Sequence, residues 1–371
     1  MKLFQQKTTI QLFKKTEDFL QEFPICETDF ILASKTIYEK YFASQKLLAH
    51  VEYKSKYGVG EPTDVMMNEL MKDFSNTKCN RIIAIGGGAV IDMAKLLVLK
   101  EQGNARDIFE KKLPFEKVRE LIAIPTTCGA GSEVSNVTIT ELTALHTKMG
   151  LATDELYADY AILIPELLKE LPFDFFATSA IDALIHAIES YVSPRASLYT
   201  ELFSEKAIVM IVKGFQEIIE KGKEHRFELL EEFLLASNMA GIAFGNAGTG
   251  SVHAMSYPLS GEYHVTHGEA NYQLFTGVFK AYAKLDPEGK LKGMNQVLSE
   301  ILNCEITAVY ESLEALLDCI IPRKPLREYG MKEIEISSFT DSVMATQQRL
   351  LNQSYVRFTR EEMMEIYQKL Y

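Results

Sequence analysis

The stretch "RIIAIGGGAVIDMAKLLVL" (residues 81–99) decides the fold class of this chain. Residues 82–85 form a continuous apolar run, which is typical of a parallel strand buried on both faces. Gly86, Gly87 and Gly88 follow, and after them comes a segment with the apolar periodicity of a helix. The stretch therefore predicts a strand, a tight glycine turn and a helix, the order of an α/β protein.

The segments on either side repeat this scheme. "DFILAS" (29–34) and "KLLAHVEY" (46–53) predict two earlier strands, and "PTDVMMNELMKDF" (62–74) predicts a helix. "ELIAIPTTCGAGSEVSN" (120–136) is a further apolar strand followed by a loop of small residues. Alternating strands and helices predict a Rossmann-like parallel sheet in an α/β domain, which we place at residues 1–172.

The second half of the chain is different, because strand signals stop near residue 173. Four long stretches have helical periodicity: 175–193, 199–221, 226–243 and 295–320. They predict an all-helical second domain at residues 173–371. The length of 371 residues suits two domains of this kind.

Composition excludes several classes of partner. The net charge of -12 argues against nucleic acid or an anionic membrane, since both require clustered Lys and Arg. The five cysteines are widely spaced without a CxxC pair, which predicts reduced thiols in a cytoplasmic protein. The N-terminus lacks the apolar core of a signal peptide. The sequence also contains no run of roughly 18 apolar residues, so we expect no membrane span.

The two loops that follow the strands at 82–85 and 121–124 suggest phosphate binding. Both lie at the carboxyl end of a predicted strand, where open α/β sheets bind ligands. Three glycines allow the backbone to approach a phosphate, and a helix N-terminus offers free N–H groups. The alternative is a glycine turn required only by the strand-to-helix geometry, because GGGxxxD is not the GxGxxG fingerprint.

A second candidate site begins in "FATSAIDALIHAIESYVSP" (176–194). Asp182, His186 and Glu189 share one stripe of this otherwise apolar segment. An Asp and a His four residues apart can bind one metal ion from one helix face, or can form a hydrogen-bonded pair in the core. The segment alone leaves both interpretations open.

Three histidines follow in "GTGSVHAMSYPLSGEYHVTHGEAN" (248–271), namely His253, His264 and His267. Two of them, with Asp182 and His186, would complete a set of three imidazoles and one carboxylate, which suits Fe2+ or Zn2+ with an open position for substrate. The other three histidines stand in polar contexts and are interpreted as surface or packing residues: His50, His146 and His225.

Four motifs in register resemble the iron-containing (group III) alcohol dehydrogenases. They are "AIGGGAVIDMAK", "AIPTTCGAGSEVSN", "AIDALIHAIESYVSP" and "VHAMSYPLSGEYHVTHG", spanning roughly residues 80–270. The resemblance implies the fold shared with dehydroquinate synthase, NAD as cofactor with NADP left open, Fe2+ or Zn2+, and a cytoplasmic homodimer. The flanking "KYGVGEPTD" and "IPRKPLREYGM" resemble members that interconvert 4-hydroxybutyrate and succinate semialdehyde by hydride transfer.

The resemblance also implies roles for single residues. The family's metal ligands match Asp182, His186, His253 and His267, which leaves His264 outside the pattern. The residues matched to cofactor binding are Gly86, Gly87, Gly88, Asp92, Thr126, Thr127, Ser132 and Lys148.

The chain departs from the family pattern at three positions. Ala89 replaces a frequent Ser after the glycines, and Ser34 stands where an Asp often meets the adenosine ribose. Tyr257 stands where many members have a second His near the reacting centre, so we take it as a candidate catalytic residue.

The substrate carboxylate needs a cationic or N–H-rich partner. His264 is one candidate, and Arg323, Lys324 and Arg327 are others. Two further functions remain open: a broader oxidoreductase of short alcohols, diols or aldehydes, and an NAD- and zinc-dependent lyase or cyclase like dehydroquinate synthase.

Overall fold

The computed structural model describes residues 2–101, 103–145 and 147–371, so the predicted role of His146 lies outside the described residues. The chain divides into two compact units. The α/β unit is Gln6–Leu171, and the helical unit comprises Pro172–Tyr371 together with the N-terminal residues up to Gln5. The sequence analysis had assigned these N-terminal residues to the α/β domain.

The elements of the α/β unit alternate as expected. Its strands are β1 Thr9–Leu12, β2 Asp29–Ala33, β3 His50–Tyr53, β4 Arg81–Gly86, β5 Glu120–Pro125, β6 Val137–Leu142, β7 Thr147–Ala152 and β8 Tyr160–Leu163. Its α-helices are α1 Thr16–Glu22, α2 Lys35–Tyr41, α3 Asp64–Ser75, α4 Gly88–Leu97 and α5 Ala105–Phe109. The strand predicted at 46–53 is confirmed only for its second half.

Six of these strands form a parallel sheet in the order β1-β8-β5-β4-β2-β3, and β6 and β7 form a separate antiparallel pair. The chain moves outward from β2 to β3 and then returns to β4 on the other side of β2. The strand order therefore reverses at β2 and β4, and the carboxyl ends of strands at such a point are where open α/β sheets bind ligands. The glycine turn follows β4 at this edge.

Both faces of the sheet are covered, which explains the unbroken apolar run of β4. Ile82 and Ala84 pack in one buried cluster with side chains of α3 and α4. Ile83 and Ile85 pack in a second cluster with side chains of α1 and α2. Alternate side chains of a strand point to opposite faces, so a strand covered on both sides must be apolar throughout.

The helical unit is built around one buried helix, α6. Its α-helices are α6 Phe173–Val192, α7 Leu198–Lys221, α8 Leu230–Ala247, α9 Ser251–Tyr263, α10 His267–Leu285, α11 Gly289–Leu302, α12 Val309–Ile320, α13 Glu335–Thr346, α14 Gln348–Leu351 and α15 Arg360–Leu370. Helices α7, α8 and α10 pack against α6. An apolar helix surrounded by others is buried on all sides, so its few polar side chains require partners.

One predicted helix, at 295–320, is interrupted. Helix α11 ends at Leu302 and α12 begins at Val309, because Asn303 adopts the left-handed conformation with φ of 50°. Asn tolerates this conformation better than most residues and commonly terminates helices. Among the described residues, every helix is too short or too polar to cross a membrane.

Candidate metal centre and cofactor loops

Four side chains from three helices converge inside the helical unit. Asp182 and His186 lie one turn apart on α6, His253 lies in the first turn of α9, and His267 is the first residue of α10. Each offers one ligand atom such that all four atoms lie within 4.8 Å of one another. This spacing allows a single ion to contact all four side chains.

The donor set fits a metal ion of the Fe2+ or Zn2+ type. The His253 ring lies 4.6 Å from that of His186 and 5.2 Å from that of His267, measured between centroids. The Nε2 atom of His253 is buried without a hydrogen-bond partner among the described residues, 3.9 Å from Oδ1 of Asp182. A buried acceptor without a partner costs free energy, and a metal ion would satisfy it.

The side chain of Asn271 contacts two of these four residues, Asp182 and His267. Its amide Nδ2 donates to Oδ1 of Asp182 at 2.7 Å and lies 3.1 Å from Nε2 of His267. Its Oδ1 accepts a hydrogen bond from the Ser256 hydroxyl at 2.5 Å, which fixes the orientation of the amide. Second-layer contacts of this kind are what hold metal ligands in one rotamer.

The carboxyl group of Asp182 is held in its ionised form. Burial alone would raise the pKa of Asp182, but the imidazoles of His186, His267 and His253 and the Asn271 hydrogen bond lower it below its ordinary value. An ionised carboxylate is the form that binds a cation.

Glu189 occupies the third position of the predicted polar stripe. Its side chain is 2% exposed, its Oε1 accepts the backbone N–H of Val252 at 2.7 Å, and its Oε2 lies 2.6 Å from Nδ1 of His253. The sequence analysis assigned no role to Glu189, Asn271 or Ser256. Two of them carried a signal, because Glu189 lies two turns after Asp182 and Asn271 lies one turn after His267.

The two predicted catalytic residues differ in their surroundings. Tyr257 lies one turn after His253 and is 8% exposed, and its ring centroid is 6.1 Å from that of His267. His264 is exposed and ends α9 in the left-handed conformation, with φ of 55°. It is absent from the convergent group of ligand atoms.

Arg323 is surrounded by acidic partners rather than open to a substrate. Its guanidinium donates to Asp318 at 2.8 and 2.9 Å, to Glu314 at 2.7 Å and to the Thr276 hydroxyl at 2.9 Å. These contacts join α10 to α12. They indicate a structural role for this arginine.

The glycine turn packs closely on the loop that follows β5. The two strands run in register, with Gly86 opposite Pro125. A Cβ atom on Gly88 would lie 2.7 Å from Cβ of Ala130, and one on Gly87 would lie 3.1 Å from the Thr127 methyl group. Glycine is therefore required here by close approach, and Gly87 caps α4 without a side chain in front of its N-terminus.

The other residues predicted to bind the cofactor fall into two groups. Thr126 follows β5 directly, Ser34 follows β2 and donates its N–H to Ile85 O, and Lys148 on β7 pairs with Glu61. Asp92 instead supports the backbone of β6. Its carboxylate accepts the backbone N–H of Ile139 on β6 at 3.0 Å, and burial raises its pKa despite Lys95 and Ser132 nearby.

Comparisons with known proteins agree with this architecture. The sequence model described as "Iron-containing alcohol dehydrogenase" matches residues 4–165, and the one described as "Fe-containing alcohol dehydrogenase family, C-terminal" matches residues 176–371. The chain belongs to the iron-containing alcohol dehydrogenase family. The family predicted from the four motifs is thereby confirmed.

Relatives within this family match over most of the chain. 4-Hydroxybutyrate dehydrogenase of Clostridium kluyveri is 51% identical to this chain, and the match covers 100% of both proteins. Long-chain-alcohol dehydrogenase 1 of Geobacillus thermodenitrificans is 32% identical over 78% of this chain and 75% of its own. The solved iron-containing alcohol dehydrogenase of Thermococcus thioreducens superimposes with a TM-score of 0.84, at 25% identity over 99% of both chains. The predicted fold class, a Rossmann-like parallel-sheet unit followed by a helical unit, is also confirmed.

Proposed function

We propose that this iron-containing alcohol dehydrogenase interconverts 4-hydroxybutyrate and succinate semialdehyde, with NAD(H) as hydride carrier and Fe2+ or Zn2+ as metal. The convergence of Asp182, His186, His253 and His267 carries the chemical part of this proposal. The identity of 51% over the full length of the Clostridium kluyveri enzyme supports the substrate.

The four ligands are suited to a reaction at an oxygen atom. A divalent ion held by them supplies Lewis-acid polarisation of the substrate oxygen, while nicotinamide supplies or accepts the hydride. The single carboxylate of Asp182 balances only part of the charge of such an ion.

Two residues near the ligands are assigned to the substrate. Tyr257, whose ring lies beside that of His267, is assigned the hydrogen bond from its hydroxyl to the reacting oxygen. His264, exposed at the end of α9, is the candidate contact for the substrate carboxylate. The engagement of Arg323 by Glu314 and Asp318 argues against that role for the arginine.

The edge of the sheet is assigned to NAD(H). Gly86, Gly87, Gly88, Thr126 and Thr127 would receive the pyrophosphate at the N-terminus of α4, since the backbone is accessible there. Ser34 and Lys148 are assigned to contact the ribose hydroxyls of the dinucleotide. Ser132 is assigned to the cofactor together with the two threonines of the same loop. Asp92 would support the turn indirectly, because its carboxylate holds the backbone of β6.

The substrate assignment is tested by comparing aldehydes. Protein loaded with Fe2+ or Zn2+ is supplied with NADH and with succinate semialdehyde, butyraldehyde or propionaldehyde. We expect a higher kcat/KM for succinate semialdehyde, because only this compound carries a carboxylate for the site to recognise. Equal turnover of the uncharged aldehydes would favour the broader alcohol oxidoreductase, and NAD recycled within one turnover would favour a cyclase.

The assembly is assigned as a cytoplasmic homodimer. The five free, widely spaced cysteines agree with a reducing compartment. Light scattering after size-exclusion chromatography should give twice the mass of one chain.

A further inference from the structure

A buried carboxylate lies next to the proposed metal centre without belonging to it. Glu189 is two helical turns after Asp182 on α6, and it is not one of the four residues whose ligand atoms converge. Both of its oxygens are occupied by N–H groups: Oε1 by the backbone of Val252 at 2.7 Å, and Oε2 by Nδ1 of His253 at 2.6 Å. The two donors are consecutive residues at the start of α9, so one side chain orients that whole turn.

This pairing determines which nitrogen of His253 is available. An ionised carboxylate can only accept hydrogen bonds, so the proton of a neutral imidazole must reside on Nδ1. The lone pair is then on Nε2. That atom is buried without a hydrogen-bond partner among the described residues, and it points to the centre of the ligand group, 3.9 Å from Oδ1 of Asp182.

We infer that Glu189 is a positioning residue, which holds His253 as the Nδ1–H tautomer and directs its Nε2 to the metal. This inference rests on the proposed metal centre. A carboxylate behind a ligating imidazole also increases the basicity of the ligand, and loss of such a partner weakens metal binding by about 10–100-fold.

The two N–H groups that face Glu189 explain why we expect a glutamine to be a poor replacement for this glutamate. If the glutamine oxygen accepts the Val252 N–H, its NH2 group faces Nδ1 and favours the opposite tautomer, with the proton on Nε2. If the amide is turned around, its NH2 group faces the Val252 N–H, which leaves two donors opposed. Either orientation damages the site, although the size of the side chain is unchanged.

Glu189→Gln is therefore the decisive variant, and Ser190→Ala is its matched control. Ser190 is the next residue on α6, is equally buried, and bonds to Ser204 instead of a ligand. The affinity of the metal-free full-length proteins for Zn2+ is measured by competition with a chromophoric chelator, and the visible spectrum of bound Co2+ reports the coordination. Circular dichroism of the metal-free proteins checks that each variant is folded.

We expect Glu189→Gln to bind Zn2+ about 10–100-fold more weakly than wild type and to alter the Co2+ spectrum. Ser190→Ala should match wild type in both measurements. Wild-type affinity and an unchanged spectrum in Glu189→Gln would overturn the inference.

A double-mutant cycle separates positioning of His253 from a general structural role. In a His253→Ala background, the added Glu189→Gln change should not weaken Zn2+ binding further, because the side chain through which Glu189 acts is gone. A further loss of affinity in that background would overturn the inference. Failure of the wild-type protein to bind Zn2+ or Co2+ would instead disprove the metal centre itself, and this role with it.

Discussion

His264 and His267 are three residues apart, yet they stand at the ends of two different helices. His264 ends α9 in a left-handed conformation and is exposed, whereas His267 begins α10 and joins the convergent ligands. The family pattern gave these two histidines different roles, and only His267 lies in the group of convergent ligand atoms. The local sequence alone could not distinguish them, because both follow small or polar residues in the same loop.

Substitution at these two positions should have opposite effects on metal content. His267→Ala removes one of the four ligands, so the purified protein should contain little Fe2+ or Zn2+. His264→Asn keeps a residue that tolerates the left-handed conformation, and its metal content should equal that of wild type. Elemental analysis by mass spectrometry measures both, and loss of metal from His264→Asn alone would reverse the assignment.

The four proposed ligands could be chosen from the sequence, whereas the supporting residue Ser256 could not. Asp182, His186, His253 and His267 carry chemistry that stands out in an apolar or small-residue context. Ser256 is an ordinary polar residue whose contact with Asn271 arises only when α9 and α10 pack together. Contacts between residues far apart in sequence leave no periodic signal in either segment.

At the scale of elements, α10 approaches α6 closely next to the metal ligands. A Cβ atom on Gly268 would lie 2.7 Å from the carbonyl oxygen of Thr178 and 3.3 Å from Cβ of Asp182. The nearest atom belongs to the backbone of α6, which cannot move aside as a flexible side chain would. Gly268 thus sets the distance between the helices that carry Asp182 and His267.

Gly268→Ala should destabilise the protein by about 1–3 kcal/mol, the usual cost of overpacking, and should weaken Zn2+ binding. Gly261→Ala is the control, because a Cβ atom there meets nothing within 4 Å and the residue lies in α9. It should stabilise by about 0.5–1 kcal/mol, since alanine loses less entropy than glycine in a helix. Urea unfolding and chelator competition test both variants; wild-type metal affinity in Gly268→Ala would contradict the close-packing argument.

The Arg323 network predicts a pH-dependent contribution to stability. Arg323→Met keeps much of the packing of the side chain. It leaves Asp318 without its main donor, and Glu314 with only Lys280 and Thr276 as donors. We expect a loss of roughly 1–3 kcal/mol at pH 7 by urea unfolding, with no change in KM for succinate semialdehyde. A raised KM would return Arg323 to the substrate site.

The sign of the pH effect follows from the two carboxyl groups. Hydrogen bonds from Arg323 lower the pKa of Asp318, and hydrogen bonds from Lys280, Thr276 and Arg323 outweigh burial to lower that of Glu314. Carboxylates with a lowered pKa stabilise the fold fully above their unfolded value of about 4, and this contribution is lost as the pH falls through the folded value. The difference between wild type and Arg323→Met should therefore be constant from pH 7 to 5 and shrink below pH 4.

The β6–β7 hairpin shows where reading elements from the sequence fails. In β6 the buried side chains are Thr138, Thr140 and Leu142, so two of the three are polar, while apolar Ile139 lies on the less buried face. The Thr138 hydroxyl donates to Asp92 O, and that of Thr140 donates to Pro62 O, so both polar groups are satisfied inside. A pattern search expects apolar residues on the inner face and misses this strand.

At the scale of the whole molecule, the metal and the dinucleotide are assigned to different units. All four proposed metal ligands lie in the helical unit, and the glycine turn lies in the α/β unit. The fold class was predictable because buried parallel strands and long helices have different periodicities. Assignment of the N-terminal residues to the helical unit was not, because five residues carry no periodicity.

Hydrogen exchange should report this division. Removing the metal with a chelator should increase exchange in α6, α9 and α10, because ligand binding stabilises the segments that it joins. Adding NAD+ to the metal-free protein should instead protect the turn between β4 and α4 and the loop after β5. Mass spectrometry of peptides measures both, and chelator effects confined to the α/β unit would contradict the metal assignment.

The helical unit is completed by residues from the opposite end of the chain. Gln5 exchanges two backbone hydrogen bonds with the side chain of Asn246, 241 positions later, and Phe4 stacks on Phe203. During synthesis at about 5–20 residues per second, these first residues leave the ribosome roughly 10–50 s before their partners exist. The α/β unit can complete its sheet in that interval, so the N-terminal segment must stay unengaged until the helices arrive. The first residues therefore join the helical unit only after synthesis has passed Asn246.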